Sequence, residues 1–223
     1  MTSGDSNGLF TVPLPAGEPR RLGDLQANGA SFMPDGRIVY TAGNDVYLAE
    51  RDGSTPRKLA SMDRDFNIYD GQVAVSPDGL RIALSVWNPS ARDARIMLLD
   101  KDGTNLRTIV RSPGGSAFLG HPNWSRDGQY VLYVKVDSNG GNLWAYREPT
   151  LFRRSGTSVQ LTTGPLMYTD STSSLDGKQI FASAFQQRGE LVRYDMQRKQ
   201  FVPFLSGVPA WGPTFSTDGN WVA

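Results

Sequence analysis

Apolar residues along this chain come in short runs divided by polar, glycine-bearing turns. Four runs, "RIVYTA", "RIALSVW", "YVLYVKV" and "QIFASAF", each follow closely on an Asp-Gly pair. They are rich in β-branched and aromatic residues and lack the three- and four-residue spacing of an amphipathic helix, so they predict strands buried on both faces. No helix is expected. Across a loop from each comes a second run, "DVYLAE", "ARIMLLD", "NLWAYRE" and "ELVRYDM", whose partial alternation suits a strand nearer the outside. A third follows in "RKLAS", "LRTIV", "VQLTT" and "FVPFLS". With the short segments "SFM", "VAVS", "NWS", "TSS" and "TFS" ahead of Asp-Gly, each period supplies four antiparallel strands.

The Asp-Gly glycines Gly36, Gly79, Gly128, Gly177 and Gly219 stand 43, 49, 49 and 42 residues apart. Periods of this size belong to propeller blades. Asp-Gly recurs because each blade needs one tight hairpin: glycine has no Cβ to clash in a left-handed turn, and the Asp carboxylate can accept from nearby backbone N–H groups. The expected fold is all-β, a β-propeller of four-stranded antiparallel blades at 30–72, 73–121, 122–170 and 171–212, flanked by half-blades at 1–29 and 213–223. The half-blades either join to close a five-bladed ring or belong to a larger propeller cut at both ends. The last strand stops about three residues after its turn, short of the usual five or six, so truncation is the expectation.

The segments "NWSRDGQYVLYV", "NLWAYRE" and "VQLTTGP" resemble the TolB-like family of propeller repeats, with its Trp-Ser-Pro-Asp-Gly turn, a strand ending in Asp and a Leu-Thr strand. "GELVRYDMQRKQFVPFLSG" with "FSTDGNWVA" is further similar to propellers of bacterial multidomain proteins carrying a winged-helix or serine/threonine kinase domain upstream. "FMPDG" and "SSLDG" depart from the pattern.

Composition narrows the chemistry. Twenty-three Lys and Arg against 22 Asp and Glu leave a formal charge of +1, too small to attract nucleic acid or an anionic membrane, and neither is expected as a partner. With no cysteine there is no disulfide or thiolate chemistry, and with His121 the one histidine no multi-histidine metal site. No metal or other cofactor is expected, and no catalytic motif such as Gly-x-Ser-x-Gly, a Walker loop or HExxH occurs. No window approaches the roughly 18 apolar residues of a membrane span, and the chain reads as a soluble one, periplasmic or cytoplasmic.

Binding sites of propellers are sought on the loops that lead into each first strand, at one mouth of the central channel. Seven residues before the repeat glycine stand Gly29, Gln72, His121, Asp170 and Gly212. Gln72, His121, Asp70 and Asp170 are therefore candidates for a polar rim with Tyr69, Tyr168 and Trp211 as aromatic walls, holding a protein, a peptide or a small polar ligand. A His121–Asp170 hydrogen bond would join successive blades. The inner column Phe32, Val75, Trp124 and Phe215 is expected between blades, with Ser173 its odd member. The function expected is a non-catalytic binding module, the sensory or interaction part of a larger bacterial protein; the alternative is the gating propeller of a prolyl-oligopeptidase-like hydrolase, with its catalytic domain outside this chain.

Overall fold

The computed structural model describes residues 7–115, 117–138, 140–149, 155–186, 191–204 and 212–221, with only the backbone of Asn7 and Asp70. Two compact units divide at Phe185 and Gln186.

The first unit opens on a hairpin of β1 (Asn7–Thr11) and β2 (Arg20–Ala27). Three four-stranded antiparallel sheets follow, each meandering in chain order. The first holds β3 (Gly29–Phe32), β4 (Ile38–Ala42), β5 (Asp45–Ala49) and β6 (Arg57–Ser61). The second holds β7 (Asn67–Val75), β8 (Arg81–Asn88), β9 (Asp93–Asp100) and β10 (Arg107–Ser112). The third holds β11 (Phe118–Trp124), β12 (Tyr130–Asp137), β13 (Gly140–Arg147) and β14 (Thr157–Gln160). The unit ends on the hairpin of β15 (Met167–Ser173) and β16 (Ile180–Phe185). In the second unit β17 (Val192–Asp195) pairs with β18 (Gln200–Pro203), and Tyr194 meets Phe201 edge-on at 5.2 Å.

The continuous apolar runs have a direct physical use. Along β8, Ile82, Leu84 and Val86 pack against Val39, Val46 and Leu48 of the preceding sheet. The intervening Ala83 turns the other way, joining Ile96 and Leu98 against Val131 and Tyr133 of the next. A strand sandwiched between two sheets needs apolar groups on both faces, hence no alternation. Burial then decreases outward, and β14 is exposed throughout. β16 carries the same apolar run, yet Ile180 and Phe181 are 46% and 58% exposed.

Each repeat turn is held by a side-chain circuit in which Ser does as much as Asp. The Ser76, Ser125, Ser174 and Ser216 hydroxyls donate to Asp78, Asp127, Asp176 and Asp218 at 2.5–2.6 Å. Those carboxylates accept the amide two residues on, and each hydroxyl accepts the amide five residues on, at 2.9–3.1 Å. In the first sheet Met33 has no hydroxyl to offer; Asp35 instead binds the Arg37 guanidinium at 2.8 and 3.0 Å, and the turn is one residue shorter.

Asp93 is the buried acid of the second sheet, clasped by Arg95 and Arg111 at 2.5–3.1 Å. Burial pushes its pKa up, but the Arg111 and Arg95 hydrogen bonds and charges outweigh this and hold it below the usual carboxylate range. A carboxyl depressed in the native state adds stability that is complete above its unfolded pKa of about 3.9 and is lost as pH falls through the folded value. Urea unfolding is therefore expected to show level stability from pH 7 to about 5 and a decline below about 4. Asp93→Asn should be about 1–3 kcal/mol less stable at pH 7 and lose less on acidification, because the charge-assisted bonds are already gone. Parallel pH curves for the two proteins would contradict this role.

Candidate functional site

The candidate residues stand on strands where the repeat pattern predicts loops. β7, β11 and β15 begin four residues ahead of the expected blade boundaries at 122 and 171 and six ahead of that at 73. Each contains a register break, between Ile68 and Val73, Gly120 and Asn123, and Tyr168 and Asp170. These are β-bulges, which interrupt the period of two and so read as loop in the sequence while still carrying the strand forward. Gly71 at φ 67° and His121 at φ 51° take the left-handed conformations that the bulges require.

Neighbouring first strands lie side by side, and side chains satisfy the backbone between them. Thr41 Oγ1 donates to Gly71 O at 2.9 Å, and Val75 N donates to Ser31 Oγ at 3.1 Å. The Trp124 indole N–H donates to Ala74 O at 3.1 Å, Asn123 Nδ2 to Ser171 O at 2.8 Å, and Ser173 Oγ to Trp124 O at 3.2 Å. Ser173, the odd member of its column, thus replaces an apolar contact with a hydrogen bond. Phe32 corrects the expectation for that column: it is 59% exposed and lines a groove, while Trp124 is buried. Phe215, in the second unit, is likewise 59% exposed, with its ring 6.4 Å from that of Phe204.

At the bulged ends, Gln72 and His121 form one unit. Gln72 Oε1 accepts the His121 backbone N–H, and Gln72 Nε2 donates to His121 Nε2 at 3.2 Å, which leaves the imidazole proton on Nδ1. Tyr69 stacks at a tilt on Phe118, centroids 4.5 Å apart. These pairs tie β7 to β11. The His121–Asp170 bond that the repeat spacing allows is not made: His121 is engaged by Gln72, and Asp170 Oδ1 accepts the next amide, Ser171 N, at 2.7 Å. Asn123 does the same for Trp124 N at 2.8 Å. Tyr168 lies half-buried on β15, Asp70 contributes its backbone to β7, and Trp211 lies outside the described residues.

Beside Asp170 a concavity of about 210 Å³ is lined by Asn123, Ser171, Phe181 and Ser183. Among the described residues the buried Ser171 Oγ has no hydrogen-bond partner. Asn123 and Ser171 carry no signal in the repeat beyond their strand position. An Asn or Asp whose side-chain oxygen accepts the amide of the next residue, as at Asn123 and Asp170, marks both bulges. Among the described residues no group of three or more His, Asp and Glu side chains is placed to hold a metal ion.

Four-stranded antiparallel sheets packed face to face, with their first strands neighbouring one another, define a β-propeller. The comparisons with known proteins show that it resembles TolB propellers. TolB of Acinetobacter baumannii superposes with a TM-score of 0.64 at 17% identity, over 96% of this chain and 53% of that one. The Tol-Pal system protein TolB of Francisella tularensis is 30% identical over 100 residues, 44% of this chain and 21% of that protein. An uncharacterised protein of Agrobacterium fabrum is 27% identical over 140 residues, 57% of this chain and 46% of that protein. No family model matches. The chain spans less than half the length of the curated relatives it matches.

Proposed function

We propose that the chain is a non-catalytic binding module, the sensory or protein-interaction part of a larger bacterial protein, and that the bulged ends of its first strands form the rim that receives a protein or peptide. The observation that carries this reading is the pairing of bulges on neighbouring strands: Gln72 with His121 and Tyr69 with Phe118 present polar and aromatic groups at one end of a rigid scaffold. Among the described residues the His121 ring bonds the Gln72 amide, an arrangement suited to holding a rim in place. Tyr69, 41% exposed, and the exposed Asp170 remain available to a partner.

Selection of a displayed random-peptide library on the whole chain tests the rim. Peptides recovered on the wild type are expected to bind Tyr69→Ala and His121→Ala at least fivefold more weakly, since hot spots concentrate in aromatic and desolvated polar groups. Unchanged affinity for both variants would remove the rim from the reading.

A further inference from the structure

At the other end of the same first strands lies a larger groove of about 530 Å³, within the usual range of about 300–1,000 Å³ for ligand sites. Its walls come from one structural position repeated four times. In each Ser-x-Asp-Gly turn or its variant, Ser or Met, Asp and Gly are committed to the turn, and only x is free. Four of the five x residues, Pro34, Pro77, Arg126 and Leu175, line this groove, together with Phe32. Phe32 and Leu175 are 59% and 87% exposed and stand beside the two prolines, which offer no N–H, so apolar side chains project into a groove that polar groups also line.

Arg126 is the exception. Its stem lies in the space left by the missing side chain of Gly177 on the next turn, where a Cβ would meet Arg126 Cβ at 3.2 Å. Among the described residues its guanidinium has no hydrogen-bond or ion-pair partner. Among the described residues no carboxylate lines the groove, and the Asp78, Asp127 and Asp176 carboxylates nearby are bonded to their own turns. The hydroxyls of Ser76 and Ser173 and both ends of the Asn123 amide are likewise used. The Thr172 hydroxyl also lines the groove, but Arg126 is the one charged side chain among the described lining residues, and a positioned cation beside projecting apolar side chains is complementary to one anion on an apolar chain.

We infer that the Asp-Gly-turn end of the first strands binds an extended apolar peptide segment through a carboxylate that pairs with Arg126. This rests on the interaction-module reading but not on the rim at the bulged ends. The probe is a blocked hexapeptide library built from Leu, Pro and Phe with one fixed Glu, beside a matched library with Gln in its place, titrated into the full chain by fluorescence anisotropy. The wild type is expected to bind the Glu library about tenfold more tightly. Arg126→Gln should erase that preference, Leu175→Asp should weaken both libraries, and Val159→Ser, on the exposed outer strand β14, should change neither. Circular dichroism checks that these exposed substitutions leave the fold intact.

Equal affinity for the two libraries, or a Glu preference that survives Arg126→Gln, overturns the inference. If binding is lost in His121→Ala instead, the module reading stands and this groove is not its site. If the wild type binds neither library and selection on it yields no peptide, both fail. Self-association that Leu175→Asp abolishes would assign the groove to a second copy of the chain and overturn the peptide.

Discussion

Gly71→Val is expected to destabilise the first unit by on the order of 4 kcal/mol or more, enough to prevent folding of a marginally stable domain. Two costs combine at this residue. Its φ of 67° is strained for any residue with a Cβ, by about 1–2 kcal/mol. A Cβ would also overlap the neighbouring strand, lying 2.5 Å from the Gly29 amide nitrogen, while the Gly71 carbonyl must stay near enough to accept from Thr41. Gly43 separates the two costs. It has a similar φ of 57°, but a Cβ there would meet nothing within 4 Å, so Gly43→Ala should lose only about 1 kcal/mol. Urea midpoints of both variants make the comparison; equal losses would mean that the close approach of β3 and β7 is not what requires glycine.

Trp124→Ala should cost about 3–5 kcal/mol, the range for emptying a large aromatic site in a core. The side chain is buried among Ala74, Ile96 and Leu98. Its indole N–H holds Ala74 O, and the Arg81 guanidinium lies 4.5 Å from the ring. Arg81 in turn reaches Glu148 at 2.6 Å and Gly128 O at 3.0 Å, so the ring supports an ionic link between the second and third sheets. Trp124→Phe keeps most of the apolar volume but leaves Ala74 O unpaired, and about 1–3 kcal/mol is expected for it. Urea unfolding of the two variants is the measurement. A loss under about 1 kcal/mol for Trp124→Ala would show that the sheets do not depend on this contact.

The strands were legible because their apolar runs and Asp-Gly turns depend on local chemistry that repeats. β8 and β12 follow from "RIALSVW" and "YVLYVKV" almost residue for residue. The bulges were not legible, because an extra residue such as Gly71 breaks the alternation and imitates a loop. For the same reason His121 and Asp170 share a repeat position yet do not meet: one sits in a left-handed bulge bonded backward to Gln72, and the other caps its own strand. The x residues of the turns are silent in the sequence for an opposite reason. A position with no duty in the turn leaves no repeating signal, although the fold brings four of the five to one groove.

Hydrogen exchange on the whole chain, free and bound to a peptide selected on it, tests most directly whether this propeller binds through the ends of its first strands. Added protection is predicted at residues 69–72 and 118–121 for a rim ligand, or at 32–34, 75–77 and 124–126 for a carboxylate-bearing one, with the outer strands β6, β10 and β14 unchanged. Protection confined to those outer strands would contradict the account.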